Sequence, residues 1–137
     1  GYRIEEQGGT LAYLPDHEPA LCVANGQWLA PEWTSGHALA AGADLLIHDA
    51  QFTDQEYACC VGWGHSAYRH AFEFATRAGV QEVVLFHHDP SHDDTTTEHL
   101  LQHAVRRSRP AFRVSAGREG AVFEVGAKPA LAKRRAR

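Results

Sequence analysis

Two short segments of the chain are apolar almost throughout, without the alternation that marks a half-exposed strand. They cover Asp44–His48 and Val80–Phe86, and polar or glycine-containing stretches flank both. Because a strand covered on both faces is apolar throughout, we predict two buried strands here. Near the N-terminus, apolar and polar residues alternate around Gly8-Gly9, which predicts a hairpin of Tyr2–Glu6 and Thr10–Leu14.

Helical periodicity appears between and after these strands. It is clearest over Ala67–Ala78, where apolar residues recur on one face between a candidate Ser66 cap and the helix-stopping Gly79. We predict three further helices, at Ser35–Ala41, Asp54–Cys60 and Glu98–Arg107. We also predict two closing strands, at Ala111–Val114 and Ala121–Val125.

This order of elements predicts an α/β fold in which helical crossovers join neighbouring strands of one sheet. Pro15–Thr34, which has three prolines and no clean period, is predicted to be a loop carrying Trp28 and Trp33. The 137 residues suit a single domain, which we assign to residues 1–127 because neither a repeat nor a linker divides them. The basic tail 128–137 is expected to be disordered.

Composition excludes several classes of protein. Hydrophobic residues make up 44% and charged residues 22%, which fits a globular domain rather than a disordered chain. No apolar run approaches the roughly 20 residues of a membrane span, so we expect no membrane association. The net charge of -4 argues against a surface that coats nucleic acid. Three cysteines without a C-x-x-C pair or a secretory signal predict reduced thiols and a cytoplasmic location.

Histidine is unusually frequent: there are 10 in 137 residues, spread along the chain rather than collected in a tag-like run. Histidine is the commonest metal ligand and titrates near neutral pH, so this frequency points to site chemistry. Three groups fall at or just after predicted strand ends: Asp16-His17, His48-Asp49 and His87-His88-Asp89. Ligands collect at the carboxyl ends of strands in α/β sheets, and mixed His/Asp sets suit Zn²⁺, Mn²⁺ or Fe in hydrolytic sites.

The first and last of these groups also have ordinary structural explanations. Asp16 lies between Pro15 and Pro19, where a turn aspartate is common, so a turn and a metal ligand remain alternatives. The loop His92–Asp94 suits solvated aspartates that cap the next helix. His87 is different, because the end of a buried strand is rigid and a metal ligand needs rigidity.

The middle group ends a buried strand, and His65 directly precedes the predicted Ala67–Ala78 helix. A carboxylate that accepts a ring N–H fixes the tautomer and raises the basicity of the ring, so Asp49 is a candidate to orient His65 as a proton donor. The alternatives are a helix cap for Asp49 and a capping or packing role for His65. If the pair exists, we expect the two side chains within about 2.6–3.2 Å or one water apart.

Three stretches together resemble one family: Ala43–Phe52, Gly64-His65-Ser66 and Leu85–Pro90. They look like the C-terminal half of a metallo-β-lactamase-fold hydrolase of the ribonuclease Z and phosphodiesterase branch. In that branch a strand ends in a His-Glu-Ala-Thr motif, a Gly-His-Ser motif opens a helix, and a following strand ends in a metal-binding histidine. Here Asp49 takes the place of the glutamate. The resemblance covers roughly Leu11 to Asp94.

The resemblance implies an α/β fold, the C-terminal half of a metallo-β-lactamase-type αββα sandwich, and a site with two zinc ions, or with Mn or Fe. It implies that Asp16 bridges the metal ions and that His87 binds one. It also implies that His65, backed by Asp49, protonates the leaving group of a phosphodiester. Four neighbouring residues are candidates to support this set: His17, His48, His88 and Asp89.

The family's His-x-His-x-Asp-His signature is missing from all 137 residues. We therefore expect the remaining ligands to come from an N-terminal half on a separate or cleaved chain. Since zinc usually takes three or four protein ligands, this chain alone should hold metal weakly. The alternative is a non-catalytic half-fold that serves in binding or assembly. A nucleic-acid module built on Arg106–Arg109 and Lys133–Arg135 is disfavoured, because short basic stretches are usually solvated surface.

The two buried strands need cover on both faces, and the chain's own helices can cover only one. We therefore expect an exposed apolar sheet face, larger than the roughly few hundred Å² that is normal for a monomer. That face should pack against the N-terminal half or a second copy of the chain, with Trp28 and Trp33 contributing to the contact.

Overall fold

The structure is a computed structural model that describes residues 1–126. The strands in this part of the chain are β1 (Tyr2–Glu6), β2 (Gly9–Leu14), β3 (Val23–Ala24), β4 (Gln27–Trp28), β5 (Leu45–Asp49), β6 (Glu82–Phe86) and β7 (Arg113–Ala116). The α-helices are α1 (His37–Ala40), α2 (Asp54–Tyr57), α3 (Tyr68–Ala78) and α4 (Asp94–Ser108). The predicted basic tail 128–137 lies outside the described residues.

Five strands form one sheet in the order β1-β2-β5-β6-β7. β1 and β2 pair antiparallel as the predicted hairpin, with Tyr2 opposite Tyr13 and Glu6 opposite Gly9. β2, β5, β6 and β7 are parallel neighbours, and each connection between them contains a helix. The predicted α/β architecture and both predicted buried strands are therefore confirmed, with ends shifted by one or two residues.

One face of the sheet packs against α3 and α4 and forms the hydrophobic core. Leu46 and Val83, opposite each other in neighbouring strands, lie on this face and belong to the same buried cluster as Phe74 of α3. Burying one such side chain contributes about 1.5–3 kcal/mol to folding. α3 ends as predicted, because Gly79 adopts a φ of 68° and its N–H donates to carbonyls of the last turn.

Two helix starts differ from the predictions because side chains bond elsewhere. Ser66 does not cap α3: its hydroxyl donates to the carbonyl oxygen of His17 at 2.6 Å, and Ala67 occupies the N-cap position without a side-chain bond. α4 begins four residues before the predicted Glu98. The reason is Asp93, whose side chain accepts a backbone N–H of the first turn and caps the helix there.

Other elements are shorter or more structured than predicted. α2 is a single turn, closed by a capping box between Thr53 and Glu56, and it ends at Tyr57 rather than Cys60. The predicted loop Pro15–Thr34 contains 3-10 turns and the two-residue strands β3 and β4. Within residues 1–126, none of the helices combines the length and the apolar character needed to cross a membrane.

The predicted strand Ala121–Val125 is wrong, because this stretch pairs with no strand of the sheet. Instead, the segment after β7 runs over the sheet face opposite the helices. Gly117 lies against the side chains of Val84 and Phe86, and a Cβ atom placed on Gly9 would stand 2.9 Å from the carbonyl oxygen of Val125. We call residues 117–126 the strap.

The strap changes the expectation of an open apolar face. Val84, which contacts the strap, is buried. Tyr2, Ile4 and Phe86 lie on the same face of the sheet and remain exposed. The chain thus covers part of this face itself and leaves these three side chains exposed.

Candidate metal centre

Four of the predicted site residues meet at the carboxyl end of the sheet: Asp16, Asp49, His65 and His87. Each offers one possible ligand atom, and these four atoms lie within 4.8 Å of one another. Asp16 follows β2, Asp49 ends β5 and His87 follows β6, so parallel neighbours deliver three of the residues to one edge. His65 arrives from the loop before α3.

Asp49 makes the contact with His65 that the sequence predicts. Its buried Oδ2 lies 2.7 Å from His65 Nδ1, and Oδ1 accepts the backbone N–H groups of Ser66 at 2.7 Å and Gln51 at 3.3 Å. Burial raises the pKa of Asp49, and these hydrogen bonds oppose that rise. Because the carboxylate engages Nδ1, the ring presents Nε2 to any ligand. The predicted contact is confirmed, while the role of His65 as a proton donor stays a prediction.

His87 and Asp16 form the solvent-accessible side of the cluster. The ring of His65 stacks on that of His87, with centroids 4.7 Å apart and planes inclined by 29°. His87 Nε2 lies 3.6 Å from Asp16 Oδ1, and their side chains are 41% and 65% exposed. Solvent therefore reaches these two donors, and a substrate can approach them from the same side.

The backbone of His87 adopts a φ of 56°, in the left-handed region that residues with a Cβ rarely occupy. Such a conformation costs on the order of 1–3 kcal/mol and clusters at functional sites. The strained residue here is also the one that directly follows β6. This observation supports a functional role for His87 independently of its place in the cluster.

The donor set fits a divalent metal ion. Ligand atoms about 2.0–2.2 Å from one ion lie at most about 4.4 Å apart, which is close to the limit found for these four atoms. Imidazole nitrogens and carboxylate oxygens suit Zn²⁺, Mn²⁺ and Fe. Because Asp49 is buried and already accepts three hydrogen bonds, the accessible donors are Asp16, His87 and Nε2 of His65. Nε2 of His65 can either bind a metal ion or donate a proton, so at most three donors are free for metal. That number matches an open site rather than a closed structural one.

The sequence prediction omits Glu18, whose buried carboxylate organises the loop that leads to His65. Its Oε1 accepts the Tyr57 hydroxyl at 2.8 Å and the Gly62 N–H at 2.7 Å, and its Oε2 accepts the Gly64 N–H at 2.7 Å. Burial alone would raise the pKa of Glu18, but these hydrogen bonds outweigh it and lower the pKa. We call residues 60–64 the tryptophan loop.

Nothing in the spacing of the sequence reveals this contact. Glu18 and Gly64 are 46 positions apart, and only the fold brings them together. The available signal is weak: a glutamate next to a candidate ligand group, and a glycine-rich stretch before a candidate histidine.

His17 and His48, predicted to support the ligands, form a buried pair. His48 Nδ1 lies 2.6 Å from the carbonyl oxygen of Asp49, which can only accept, so Nδ1 carries the proton. His48 Nε2 lies 2.8 Å from His17 Nδ1, and His17 Nε2 lies 3.0 Å from the carbonyl oxygen of Ser35. Burial lowers the pKa of His48 to about 3 and that of His17 to about 4. Both rings are therefore neutral at pH 7, and the pair contacts the site through the backbone of Asp49.

His88 and Asp89, the other predicted supporting residues, contribute no atom to the cluster. Asp89 accepts the N–H and the hydroxyl of Ser91 at 2.8 and 2.6 Å, as a turn aspartate does. The ring nitrogens of His88 are buried and have no hydrogen-bond partner among residues 1–126, and burial lowers the pKa of His88. Their supporting role stays a prediction.

The loop His92–Asp94 follows the structural alternative. His92 Nε2 lies 2.9 Å from Glu56 Oε1, and Asp93 caps α4. Neither residue belongs to the metal-ligand cluster.

Comparison with known proteins agrees with this fold. Residues 1–88 match the family model described as the beta-lactamase superfamily domain. The match covers more than half of the chain, and the chain therefore belongs to this superfamily, with the metallo-β-lactamase fold.

Two solved structures share the fold. The metallo-beta-lactamase fold protein YhfI from Bacillus subtilis has a TM-score of 0.63 at 22% identity, over 88% of this chain and 42% of its own. Human tRNase Z, short form, has a TM-score of 0.50 at 26% identity, over 65% of this chain and 30% of its own.

The curated relatives include proteins named ribonuclease Z. That of Brevibacillus brevis is 32% identical over 107 residues, which cover 78% of this chain and 30% of that protein. That of Saccharolobus islandicus is 42% identical over 99 residues, which cover 72% of this chain and 28% of that protein. The chain therefore spans less than a third of the length of these relatives.

Proposed function

We propose that this chain forms the C-terminal part of a binuclear metal-dependent hydrolase that cleaves phosphodiester bonds in RNA. The observation that carries the proposal is the cluster of possible ligand atoms from His65, His87 and Asp16, in which Asp49 forms a hydrogen bond with His65. Its donors suit a divalent metal ion, and membership of the family implies the use of one. The relatives named ribonuclease Z support RNA as the substrate class.

The residues divide into metal ligands and a proton-donating pair. Asp16 would bridge two metal ions and His87 would bind one of them, with zinc as the proposed metal and Mn or Fe as alternatives. Bound metal ions would supply a nucleophile at neutral pH and stabilise charge on the phosphoryl oxygens. His65 would donate a proton from Nε2 to the leaving oxygen, while Asp49 fixes the tautomer and stabilises the protonated ring.

The remaining ligands must come from outside this stretch of sequence, because it has no His-x-His-x-Asp-His motif. We propose that an N-terminal half supplies them. Three apolar side chains remain exposed on the sheet face opposite the helices: Tyr2, Ile4 and Phe86. We call them the outer-face residues, and they support a docking surface for that half or for a second copy of the chain.

Substitution of the two exposed ligands tests the proposal. In the protein that includes the N-terminal half, Asp16→Asn and His87→Ala should each lower the metal content, measured by elemental analysis. Each should also lower kcat/KM for bis(p-nitrophenyl) phosphate at least about 100-fold, because even residues that only support a ligand cost 10–100-fold. Asp94→Asn and His99→Ala make the same changes at exposed positions of α4 and should leave both quantities unchanged.

Intact mass measurement of the same material identifies any second polypeptide that carries the missing motif. A protein whose metal content and hydrolysis are the same in all four variants would contradict the proposal. That outcome would favour the alternative of a non-catalytic half-fold that serves in binding or assembly.

A further inference from the structure

The tryptophan loop, directly before His65, carries two exposed apolar side chains. Trp63 is 68% exposed and Val61 is 56% exposed. Neither side chain belongs to the hydrophobic core. The placement of a large aromatic residue at the surface beside the candidate site therefore has no explanation in the packing of this chain.

The backbone of this loop is not free to fold the indole inward. Glu18 accepts the N–H groups of Gly62 and Gly64, on either side of Trp63, at 2.7 Å each. The N–H of Trp63 itself donates to the carbonyl oxygen of Cys60 at 3.1 Å. Both glycines have positive φ, 88° and 92°, which residues with a Cβ rarely adopt. A buried carboxylate thus holds Trp63 at the surface.

Trp63 is close to the metal-ligand cluster along the chain. It precedes His65 by two residues, which span at most about 7 Å of backbone. His65 contributes an atom to the cluster that lies within 4.8 Å of the other three ligand atoms. An aromatic ring so close along the chain is within reach of a group attached to a phosphodiester at the cluster, and the flat group of a nucleotide that can lie against it is the base.

We propose that Trp63 stacks on a nucleobase next to the scissile phosphodiester, and that Glu18 is the positioning residue that holds Trp63 there. This inference rests on the proposed function, whose substrate it specifies as a nucleotide rather than any phosphodiester. The tryptophan loop has the sequence Cys-Val-Gly-Trp-Gly and no charged side chain, so it offers an aromatic face and not phosphate-binding charge. Stacking tolerates any base, because every base has a π-face.

The test compares a ligand that has a base with one that lacks it. Binding of AMP and of ribose 5-phosphate is measured by isothermal titration calorimetry in the presence of Mn²⁺. Trp63→Ala should weaken AMP binding roughly 5- to 150-fold, the equivalent of about 1–3 kcal/mol for one stacked base, and leave ribose 5-phosphate binding unchanged. Trp63→Phe keeps an aromatic face and should retain most of the AMP affinity, whereas Trp63→Leu should not.

Two further variants separate stacking from general effects. Trp33→Ala removes an exposed tryptophan from a different loop and should change neither affinity. Glu18→Gln should weaken AMP binding more than ribose 5-phosphate binding, and should increase quenching of Trp63 emission by acrylamide as the tryptophan loop is released. The quenching measurement is made in a background that carries both Trp28→Phe and Trp33→Phe, so that Trp63 is the one fluorescent tryptophan of this chain.

Several results would overturn the inference. It is wrong if the protein does not bind AMP, if Trp63→Ala leaves AMP affinity unchanged, or if it weakens AMP and ribose 5-phosphate equally. It is also wrong if acrylamide cannot reach Trp63 in the ligand-free protein, because the ring then packs against protein. Metal content and hydrolysis of bis(p-nitrophenyl) phosphate, measured on the same preparations, report separately on the proposed function.

Discussion

The carboxylate of Asp49 acts on His65 through one hydrogen bond, the 2.7 Å contact to Nδ1. Asp49→Asn keeps the shape but removes the charge, so it no longer stabilises a protonated His65 and can favour the wrong tautomer. We expect kcat to fall by about 10²–10⁴ while metal content is unchanged. Turnover and elemental analysis on the same sample check this. Loss of metal in step with activity would instead make Asp49 a ligand.

The buried His17–His48 pair makes stability depend on pH. The folded pKa values, about 4 and about 3, lie below the ordinary value of 6.5, so the unfolded chain binds protons first as pH falls. The pair's contribution is therefore complete above about pH 6.5 and is lost as pH falls from there toward 4, by up to about 1.4 kcal/mol per pH unit for each ring.

Urea unfolding at pH 7, 6 and 5 measures this dependence. His48→Asn removes one titrating ring, so the free energy of unfolding should fall less steeply with decreasing pH, by about the contribution of one ring. His103→Asn, a matched change on exposed α4 surface, should leave the slope as it is. Equal slopes in all three proteins would mean that the pair does not control acid stability.

At the scale of elements, the strap gives Gly9 an unusual constraint. Replacing glycine by alanine inside a strand ordinarily stabilises by about 0.5–1 kcal/mol. At Gly9, however, the new Cβ would stand 2.9 Å from the Val125 carbonyl oxygen. We therefore expect Gly9→Ala to destabilise the protein by about 1–3 kcal/mol in urea unfolding. Glu6→Ala, at the position opposite Gly9 in the hairpin, is the control. If Gly9→Ala instead stabilises the protein, the strap is not held against Gly9.

The elements that the sequence predicts well are those whose periodicity reports burial directly. β5, β6, the hairpin and α3 follow from apolar runs or amphipathic spacing, and the site follows from His and Asp residues at the ends of parallel strands. Residues 121–125 also carry strand-like apolar residues, but these lie over the face of the sheet instead of pairing at its edge. Strand propensity does not distinguish the two arrangements, because it does not show whether a segment pairs at a sheet edge, and Val122 here remains 89% exposed.

The contacts that the sequence does not reveal join distant parts of the chain. Glu18 binds backbone N–H groups of the tryptophan loop, which carry no side-chain signature at all. The early start of α4 depends on Asp93, whose side chain accepts a backbone N–H. The sequence around Asp93 is equally compatible with a solvated loop, so it does not reveal this cap.

At the scale of the whole molecule, the exposed outer-face residues predict association. Burial of Tyr2, Ile4 and Phe86 requires an N-terminal half or a second copy, because the strap leaves them uncovered. Size-exclusion chromatography with light scattering should therefore show a complex, and Ile4→Lys should weaken it at least about tenfold through the cost of burying a charge. Gln7→Lys, in the exposed hairpin turn, is the matched control. A monomer without a second chain would contradict this prediction.

The strands of the main sheet follow one another in space in the same order as in the chain, β1-β2-β5-β6-β7. Within this stretch, the ribosome releases the hairpin before the later strands, and each later strand then meets the free edge of a sheet already made, so no strand has to insert between two others. The ligand residues also emerge in sequence, Asp16, Asp49, His65 and His87. This chain's part of the metal centre is therefore assembled only after β6 has left the exit tunnel, and the growing chain reaches that point with most of this sheet already formed.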